Sequence, residues 1–154
     1  ERLFADELDG HPLLGNRSIW RSFPEVVNER WSHENVVLIG DSAHTAHFSI
    51  GSGTKLAMED AIALVDAFRE HGTADVPRVL AAYEAARRLD VLRLQKSART
   101  SQAWFEHSAR YLDQAPWQLT FNLMTRSKRI TWDNLALRDP ERVAVRVAPA
   151  MSLL

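Results

Sequence analysis

The chain has 154 residues, of which 45% are hydrophobic and 25% are charged, and this composition indicates a folded domain with a core and excludes extensive disorder. Its formal net charge of -1 excludes a global field that would attract nucleic acid or an anionic membrane. The sequence has no cysteine, which excludes disulfides, thiolate metal sites and a cysteine nucleophile, and its apolar runs are too short to span a membrane. We therefore expect a cytoplasmic chain whose partners include neither nucleic acid nor membrane.

Two strands are predicted in the first forty residues. Residues 18–23 alternate polar and apolar side chains, which predicts a half-buried strand that Pro24 ends. Residues 36–39 are four consecutive large aliphatic residues that Gly40 follows. A run of this kind is typical of a strand that is buried on both faces.

A helix that begins at about Thr54 is the next predicted element. Apolar residues between positions 56 and 68 cover most of its circumference, so we expect it to be buried on all sides. Ser52 and Thr54 are candidates for its N-cap, and Gly72 has the place of a glycine that ends a helix. Residues 36–72 are therefore predicted to form a strand, a glycine-containing loop and a buried helix.

A second helix is predicted from about Val76 to about Leu112, with Asp75 as N-cap, Pro77 in its first turn and a break near residues 89–90. Its apolar stripe consists of Leu80, Tyr83, Val91, Leu94, Ala98, Phe105 and Leu112. Its opposite face carries Arg87, Arg88, Arg93, Lys96 and Arg99. A short apolar helix is predicted over residues 117–124, and the weak patterning of residues 143–154 predicts a disordered tail.

The loop between the predicted strand and the buried helix has the features of a ligand site. Asp41 follows the strand, where α/β folds place ligand contacts, and its carboxylate can accept hydrogen bonds from sugar-like hydroxyls. Gly40, Gly51 and Gly53 let the backbone approach a flat ligand closely. The helix directs free N–H groups and its positive end at such a ligand, which favours an anion. A purely structural role for Asp41, as a cap or a loop contact, is the alternative.

Residues 40–61 resemble the second flavin motif of the class A flavoprotein monooxygenases, the para-hydroxybenzoate hydroxylase-like family. That motif is Gly-Asp-Ala-Ala-His, a loop with proline and glycines, and a helix that contains Asp-Ala. The matching positions are Gly40, Asp41, Ala43, His44, Gly51, Gly53, Asp60 and Ala61. Three positions depart from the pattern, since Phe48 replaces a proline, Ile50 replaces a glycine and Lys55 replaces an asparagine.

The resemblance implies that these residues form part of an FAD site. Asp41 would bind the ribityl hydroxyls, and the backbone of Gly53, Thr54 and Lys55 would face the pyrimidine edge of the flavin. The residues implied to bind the cofactor are Gly40, Asp41, Gly51, Gly53, Thr54 and Lys55. Those expected to line the cavity beside the flavin ring are His44, His47, Phe48 and Ile50. No catalytic acid or base is assigned.

The motif is most similar to the subgroup that hydroxylates aromatic acyl-CoA thioesters, of the salicylyl-CoA 5-hydroxylase and 2-aminobenzoyl-CoA monooxygenase type. The resemblance thus implies a monooxygenase that uses FAD, NADH or NADPH, and O₂ on a CoA-linked aromatic molecule. A related His-Phe-Ser-Ile-Gly loop occurs in tryptophan-pathway hydroxylases, so a free indole or tryptophan derivative is the alternative substrate. A non-catalytic helical interaction module is the alternative function.

The chain lacks the Gly-x-Gly-x-x-Gly turn that binds ADP in this family. We therefore expect a carboxyl-terminal fragment, inactive alone, whose partner is the N-terminal part of the same protein. Its expected fold is a mostly helical α/β fragment, in which the last strands of the flavin-binding and substrate sheets precede a buried helix and long C-terminal helices. The expected divisions are 1–35 for the end of the substrate-domain sheet and the return linker, 36–72 for the C-terminal part of the FAD-binding domain, 73–142 for the helical region and 143–154 for the tail.

Three features have structural as well as functional interpretations. His44 and His47 are a candidate metal pair, but a third ligand is missing and hydrogen-bonded structural histidines are commoner, so no metal site is predicted. Lys55 either neutralises the flavin or a substrate group, or is solvated. The basic face of the second helix either meets CoA phosphates or is solvated, and we favour the solvated face.

Overall fold

The computed structural model describes residues 2–16 and 19–140. A short helix, α1 (Ala5–Leu8), precedes a hairpin of β1 (Ser32–His33) and β2 (Val36–Val37). The helices that follow are α2 (Gly53–His71), α3 (Val76–Glu106), α4 (Pro116–Thr125) and α5 (Trp132–Arg138). Single 3-10 turns lie at Arg2–Phe4, Gly40–Ser42, Phe48–Ile50 and Ser108–Tyr111. The predicted, mostly helical character is confirmed, whereas the tail predicted for residues 143–154 lies outside the described residues.

Helix α2 begins within one residue of its predicted start. Gly72 ends it as predicted, with a positive φ of 73° and with its N–H donated to the carbonyl of Phe68 at 2.9 Å. The prediction that α2 is buried on all sides is wrong, because Met58 and Ile62 are each 62% exposed. Within the described part of the chain, α3 and the loop before α2 cover one side of this helix.

Helix α3 is a continuous helix of 31 residues. Its start is as predicted, since the side chain of Asp75 accepts a backbone N–H of the first turn and Pro77 lies in that turn. The predicted break near residues 89–90 is wrong, because the helix has neither proline nor glycine after its first turn and its backbone bonds continue. Its predicted extension to Leu112 is also wrong, since α3 ends at Glu106 and a 3-10 turn follows.

Of the two predicted strands, the first is absent from the described residues, and the second is present but is shorter and more exposed than predicted. Residues 19–23 form no strand, and the side chain of Trp20 is fully exposed. Of residues 36–39, Val36 and Val37 pair antiparallel with β1, and Val36 is 61% exposed rather than buried. The physical reason is the same in both places: a buried strand needs hydrogen-bonded neighbours on both edges, and the described chain supplies β1 on one edge of β2.

The core lies between α2, α3 and the segments that flank the hairpin. Its buried residues are Trp31, Ala43, Leu56, Ala67, Val79, Tyr83 and Val91. The side-chain amide of Gln95 on α3 donates to the carbonyls of Val26 at 3.1 Å and Thr45 at 2.8 Å, and Gln95 is buried. Because these two carbonyls lie on either side of the hairpin, α3 fixes the position of the loop that leads into α2. None of the helices in the described ranges is both long enough and apolar enough to cross a bilayer.

Candidate functional site

A cleft of about 1090 Å³ lies between the turn after β2 and the start of α2. It exceeds the size of most small-ligand pockets, which is roughly 300–1,000 Å³. Five of the six residues that the sequence assigned to a cofactor line it, namely Gly40, Asp41, Gly51, Gly53 and Thr54. Residues that are separated by up to fourteen positions in the chain are therefore brought to one surface by the turn and by the start of α2.

Lys55, the sixth of these residues, does not line this cleft. Its ammonium group forms an ion pair with Glu59 one turn further along α2. Both side chains lie at a second, smaller cleft of about 380 Å³, together with Arg93 and Arg129. The hydrogen bond from Lys55 is the main cause that lowers the pKa of Glu59 below its usual value, and Arg87 also lowers it. The side chain of Lys55 thus belongs to a surface charge cluster, while its backbone N–H belongs to the first turn of α2.

The exposed side chain of Asp41 lies in the 3-10 turn Gly40–Ser42. Among the described residues its carboxylate has no hydrogen-bond partner. At the other side of the cleft, α2 begins without a side-chain cap, because Ser52 makes no cap hydrogen bond. The first N–H groups of a helix have no intrahelical acceptor, so those of Gly53 and Thr54 are available to a ligand. The cleft thus has free acceptors on one side and free donors on the other.

An aromatic wall forms another side of this cleft. Of the four residues predicted to line a substrate cavity, His47 and Phe48 are present here, whereas His44 and Ile50 are not. The ring of Phe48 meets Phe23 edge to face at 5.2 Å, and the His47 ring lies 4.3 Å from Phe48. Sequence reasoning missed Phe23 because it assigned that residue to a strand.

His44 lies in the interior instead of in the cleft. It is 2% exposed, and its Nε2 lies 2.8 Å from Oδ2 of Asp60, which is completely buried. The second histidine of the candidate metal pair, His47, has a different environment, since its Nδ1 accepts the N–H of Ser49 at 3.2 Å. Within the described ranges, no group of three side chains is arranged to hold a metal ion.

Asp60 is the centre of a buried polar cluster that was not among the predicted site residues. Its Oδ2 accepts the backbone N–H of Gly40 at 3.0 Å in addition to the contact with His44. Its Oδ1 accepts a hydrogen bond from Nε–H of Arg87 at 2.9 Å. A terminal nitrogen of Arg87 donates a second hydrogen bond, to Glu59, at 2.9 Å. The cluster thereby connects the turn at Gly40 with α2 and α3.

The placement of Arg87 on a solvated basic face was wrong, because Arg87 is 7% exposed. Burial alone would lower the pKa of Arg87, but hydrogen bonds and charges of Asp60 and Glu59 together raise it above its ordinary value. A signal for this pair was present in the sequence. A carboxylate within a strongly apolar helix has to be paired when it is buried, and an arginine on the next helix is the natural partner.

Comparisons with known proteins place this chain among flavoproteins. The model of the FAD binding domain family matches residues 8–98. Salicyloyl-CoA 5-hydroxylase of Streptomyces sp is 49% identical over 141 residues, which are 90% of this chain and 27% of that protein. The 3-hydroxy-4-methyl-anthranilyl-[aryl-carrier protein] 5-monooxygenase of Streptosporangium sibiricum is 47% identical over 144 residues, which are 93% of this chain and 39% of that protein.

A more distant relative is the protodeoxyviolaceinate monooxygenase of Chromobacterium violaceum, 37% identical over 108 residues, which are 68% of this chain and 28% of that protein. The chain thus spans between 27% and 39% of the length of these three relatives. The residues that the family model matches include the whole lining of the large cleft apart from Gln102. Since they also cover more than half of the chain, the chain belongs to the FAD binding domain family.

Proposed function

We propose that this chain holds the ribityl chain and the pyrimidine edge of FAD in a monooxygenase that hydroxylates an aromatic substrate. The observation that carries the proposal is the position of the unpartnered Asp41 carboxylate, which lies in the large cleft and inside the residues that match the FAD binding domain family. The alternative of a non-catalytic helical module has no comparable support, because the relatives of this chain are hydroxylases and monooxygenases.

The chemistry of the cleft fits a flavin at two places. A carboxylate accepts hydrogen bonds and cannot donate them, so the exposed Asp41 suits the hydroxyl groups of a ribityl chain. The carbonyl oxygens of the pyrimidine edge are acceptors, and they suit the free N–H groups of Gly53 and Thr54. The positive end of the dipole of α2, a helix of 19 residues, favours negative charge at the same edge.

FAD, reduced by NADH or NADPH, supplies the activation of O₂ in such an enzyme. The residues of this chain would orient the flavin and exclude water from the substrate side. The aromatic wall of Phe23, Phe48 and His47 is a surface against which an aromatic ring can pack edge to face or offset. No side chain is assigned as a catalytic acid or base, because none of the described groups in the cleft is placed for that role by an observed hydrogen bond.

We infer that the substrate is an aromatic acyl group on a carrier, as a CoA thioester or a related thioester. The support comes from the two relatives at 49% and 47% identity, whose names specify salicyloyl-CoA and an anthranilyl group on an aryl-carrier protein. A free indole-type substrate is the alternative, and the relative at 37% identity, whose name specifies protodeoxyviolaceinate, shows that relatives with other named substrates exist.

The rest of the FAD site lies, on this proposal, in a preceding part of the same protein. The chain spans at most 39% of the relatives compared above, so residues 36–72 would complete an FAD-binding domain, with residues 1–35 before it and the helices of 73–142 after it. The exposed apolar face of α2, formed by Met58, Ile62 and Val65, supports this arrangement, because a contiguous apolar surface of this kind is usually covered.

The test is Asp41→Ala in the longer protein that carries this chain. Loss of hydrogen bonds to a charged acceptor costs about 1.5–3 kcal/mol each, so the dissociation constant for FAD should rise at least about tenfold. Flavin content after purification and equilibrium titration of the apoprotein measure this. Asp66→Ala is the matched control, since Asp66 is an exposed carboxylate on α2 that pairs with Arg69 away from the cleft. Wild-type FAD affinity in Asp41→Ala would contradict the proposal.

The substrate assignment has a separate test. The longer protein is incubated with NADH or NADPH and with salicyloyl-CoA, free salicylate or indole, and the products are analysed by mass spectrometry. A CoA-linked product that has gained one oxygen atom is the expected outcome. Hydroxylation of the free compounds alone would contradict the thioester assignment and would leave the flavin role of Asp41 intact.

A further inference from the structure

We propose that Asp60 is a positioning residue that holds the flavin-binding turn in shape by clamping both of its ends, an inference that rests on the proposed function. The turn comprises residues 40–44 and contains Asp41. Asp60 lies on α2, is completely buried and does not line the cleft. It therefore acts through the turn and not by contact with the cofactor.

The two oxygens of Asp60 have separate partners. Oδ2 receives the backbone N–H of Gly40 at 3.0 Å and lies 2.8 Å from Nε2 of His44. Oδ1 receives Nε of Arg87 at 2.9 Å. Oδ2 therefore binds the turn, and Oδ1 binds α3. Hydrogen bonds to a buried carboxylate are strong because water does not compete for it. Oδ2 of Asp60 therefore fixes Gly40 and His44, the first and last residues of the turn, relative to each other.

Neutralisation of Arg87 does not account for this arrangement. Glu59 already provides a carboxylate at 2.9 Å from a terminal nitrogen of Arg87. If Asp60 served only as a counter-ion, there would be no reason for its second oxygen to take the N–H of Gly40. Its position is better explained by the turn, which would otherwise leave a buried backbone donor without an acceptor.

The geometry of the turn is sensitive to the position of Gly40. A Cβ on Gly40 would lie 3.1 Å from the Cβ of Ala57, so the turn packs against α2 with little room for a side chain at this position. Asp41 is the next residue along the chain, and a shift of Gly40 displaces it directly. Misplacement of a binding group by about 1 Å is enough to cost much of its effect, so a small displacement of this turn should weaken cofactor binding.

The far end of the turn is held in a similar way. The N–H of His44 bonds to the carbonyl of Gly40 at 3.0 Å, and its ring packs against Trp31 at 4.9 Å. An isolated antiparallel bridge joins His44 to Val27. The contact with Asp60 thus fixes a histidine that is itself joined to the segment before the hairpin.

The first experiment compares Asp60→Asn with wild type in the longer, FAD-binding protein. Asparagine has the same shape, but it cannot accept from Gly40 and Arg87 as a charged carboxylate does. The dissociation constant for FAD should rise about tenfold, and the visible circular dichroism of the bound flavin should change. Asp66→Asn, an exposed carboxylate of the same helix, is the control. Unchanged affinity and an unchanged flavin spectrum in Asp60→Asn would overturn the inference.

The double variant Asp60→Asn/Arg87→Gln separates positioning from charge neutralisation. In Asp60→Asn the Nε–H of the buried Arg87 has lost its charged acceptor, although Glu59 still pairs with a terminal nitrogen. Removal of Arg87 should therefore restore part of the thermal stability of the apoprotein relative to Asp60→Asn. On our inference the FAD affinity does not recover, because neither Gly40 nor His44 regains a charged acceptor. Recovery of both stability and affinity would show that Asp60 merely balances Arg87, and would overturn the inference.

His44→Phe keeps the test decisive if Asp60→Asn does not fold. Phenylalanine keeps the packing against Trp31 and leaves the ion pair of Asp60 with Arg87 in place. The expected result is an FAD dissociation constant raised severalfold, roughly three- to tenfold, for the loss of one such hydrogen bond. Wild-type affinity in His44→Phe would overturn the inference. Failure of the wild-type protein itself to bind FAD is a different result, and it would refute the proposed function.

Discussion

Gly40 is the residue of the proposed site whose replacement is most restricted by backbone conformation and by space. Its φ of 57° lies in the left-handed region, and the space where a Cβ would stand is limited by Ala57. Gly51, at the other end of the loop, has a similar φ of 62° but open space around it. Both glycines therefore need a left-handed backbone, but only Gly40 also lacks room for a side chain.

The pair Gly40→Ala and Gly51→Ala measures these constraints separately. Gly51→Ala should lower the free energy of unfolding by about 1–2 kcal/mol, the usual cost of a left-handed conformation for an L-residue. Gly40→Ala should lower the free energy of unfolding by at least about 1 kcal/mol more than Gly51→Ala does, because α2 also has to move away from the turn. Chemical denaturation of both variants gives the comparison. Equal losses of stability would mean that the contact with Ala57 is relaxed at little cost.

Local chemistry accounts for the parts of the site that the sequence predicted. The glycines and Asp41 are recognisable because their roles follow from residue type and from position between a strand and a helix. The pairing of Asp60 with Arg87 is different, because it joins residues that are 27 positions apart through the packing of α2 on α3. A single sequence contains the two residues but not the distance between them. The same holds for Phe23, which reaches the cleft through the path of a non-regular segment.

At the scale of elements, the starts of the long helices were predicted more accurately than the strands. The caps of α2 and α3, Gly72 and Asp75, are local signals and they appear in the structure as predicted. The alternation in residues 18–23 and the aliphatic run in 36–39 needed strand partners to become sheet, and the described chain provides a partner only in the hairpin. Secondary structure that depends on distant partners is not determined by its own segment.

Helix α3 holds the hairpin through Glu84. Oε2 of Glu84 accepts a hydrogen bond from the N–H of Trp31 at 3.0 Å, and Oε1 of Glu84 forms an ion pair with Arg88. Burial would raise the pKa of Glu84, but the bonds from Arg88 and from Trp31 outweigh it and hold the pKa below the ordinary 4.5. The ionised carboxylate is therefore favoured by folding. Its contribution to stability is present above pH 4.5 and is lost as the pH falls through the lower, folded value.

Glu84→Gln tests this pH dependence. At neutral pH the variant should be less stable than wild type by about 1 kcal/mol. The difference should shrink as the pH falls from 4.5 through the lower pKa that Glu84 has in the folded state, because the wild-type side chain then also becomes neutral. Denaturation curves at several values between about pH 3 and about pH 7 measure this difference in the free energy of unfolding, since that range includes the ordinary carboxyl pKa. Glu7→Gln removes an exposed charge on α1 and controls for net charge. A difference that stays constant with pH would contradict the assignment.

At the scale of the whole molecule, polar and apolar surfaces are unevenly distributed. Side chains of α2 that face α3 are buried, while Met58, Ile62 and Val65 on its other side are exposed, and so is Val36 in β2. Within the proposed longer enzyme this surface would be covered by the rest of the FAD-binding domain. The apolar character of α2 on both sides, which led to the prediction of a fully buried helix, is then a property of the larger protein.

Ile62→Lys tests whether that surface is covered. In the 154-residue chain the change should alter the free energy of unfolding by less than about 0.5 kcal/mol, since the side chain is 62% exposed. In the longer protein the same change should cost roughly 2 kcal/mol or more, because a lysine would be buried without a partner. Leu137→Lys, at an 83% exposed position of α5, is the control for both chains. Equal effects of Ile62→Lys in the two chains would mean that the surface stays open.

The environment of Trp31 has a practical consequence for following this site. Its indole is 3% exposed and lies between the rings of His44 and Tyr83, with the guanidinium of Arg88 above it. Tryptophan emission depends on such neighbours, so Trp31 is a built-in optical reporter that sits against one end of the clamped turn. With Trp20, Trp104, Trp117 and Trp132 replaced by phenylalanine, its intensity and wavelength would register motion of the turn in real time, without any added label.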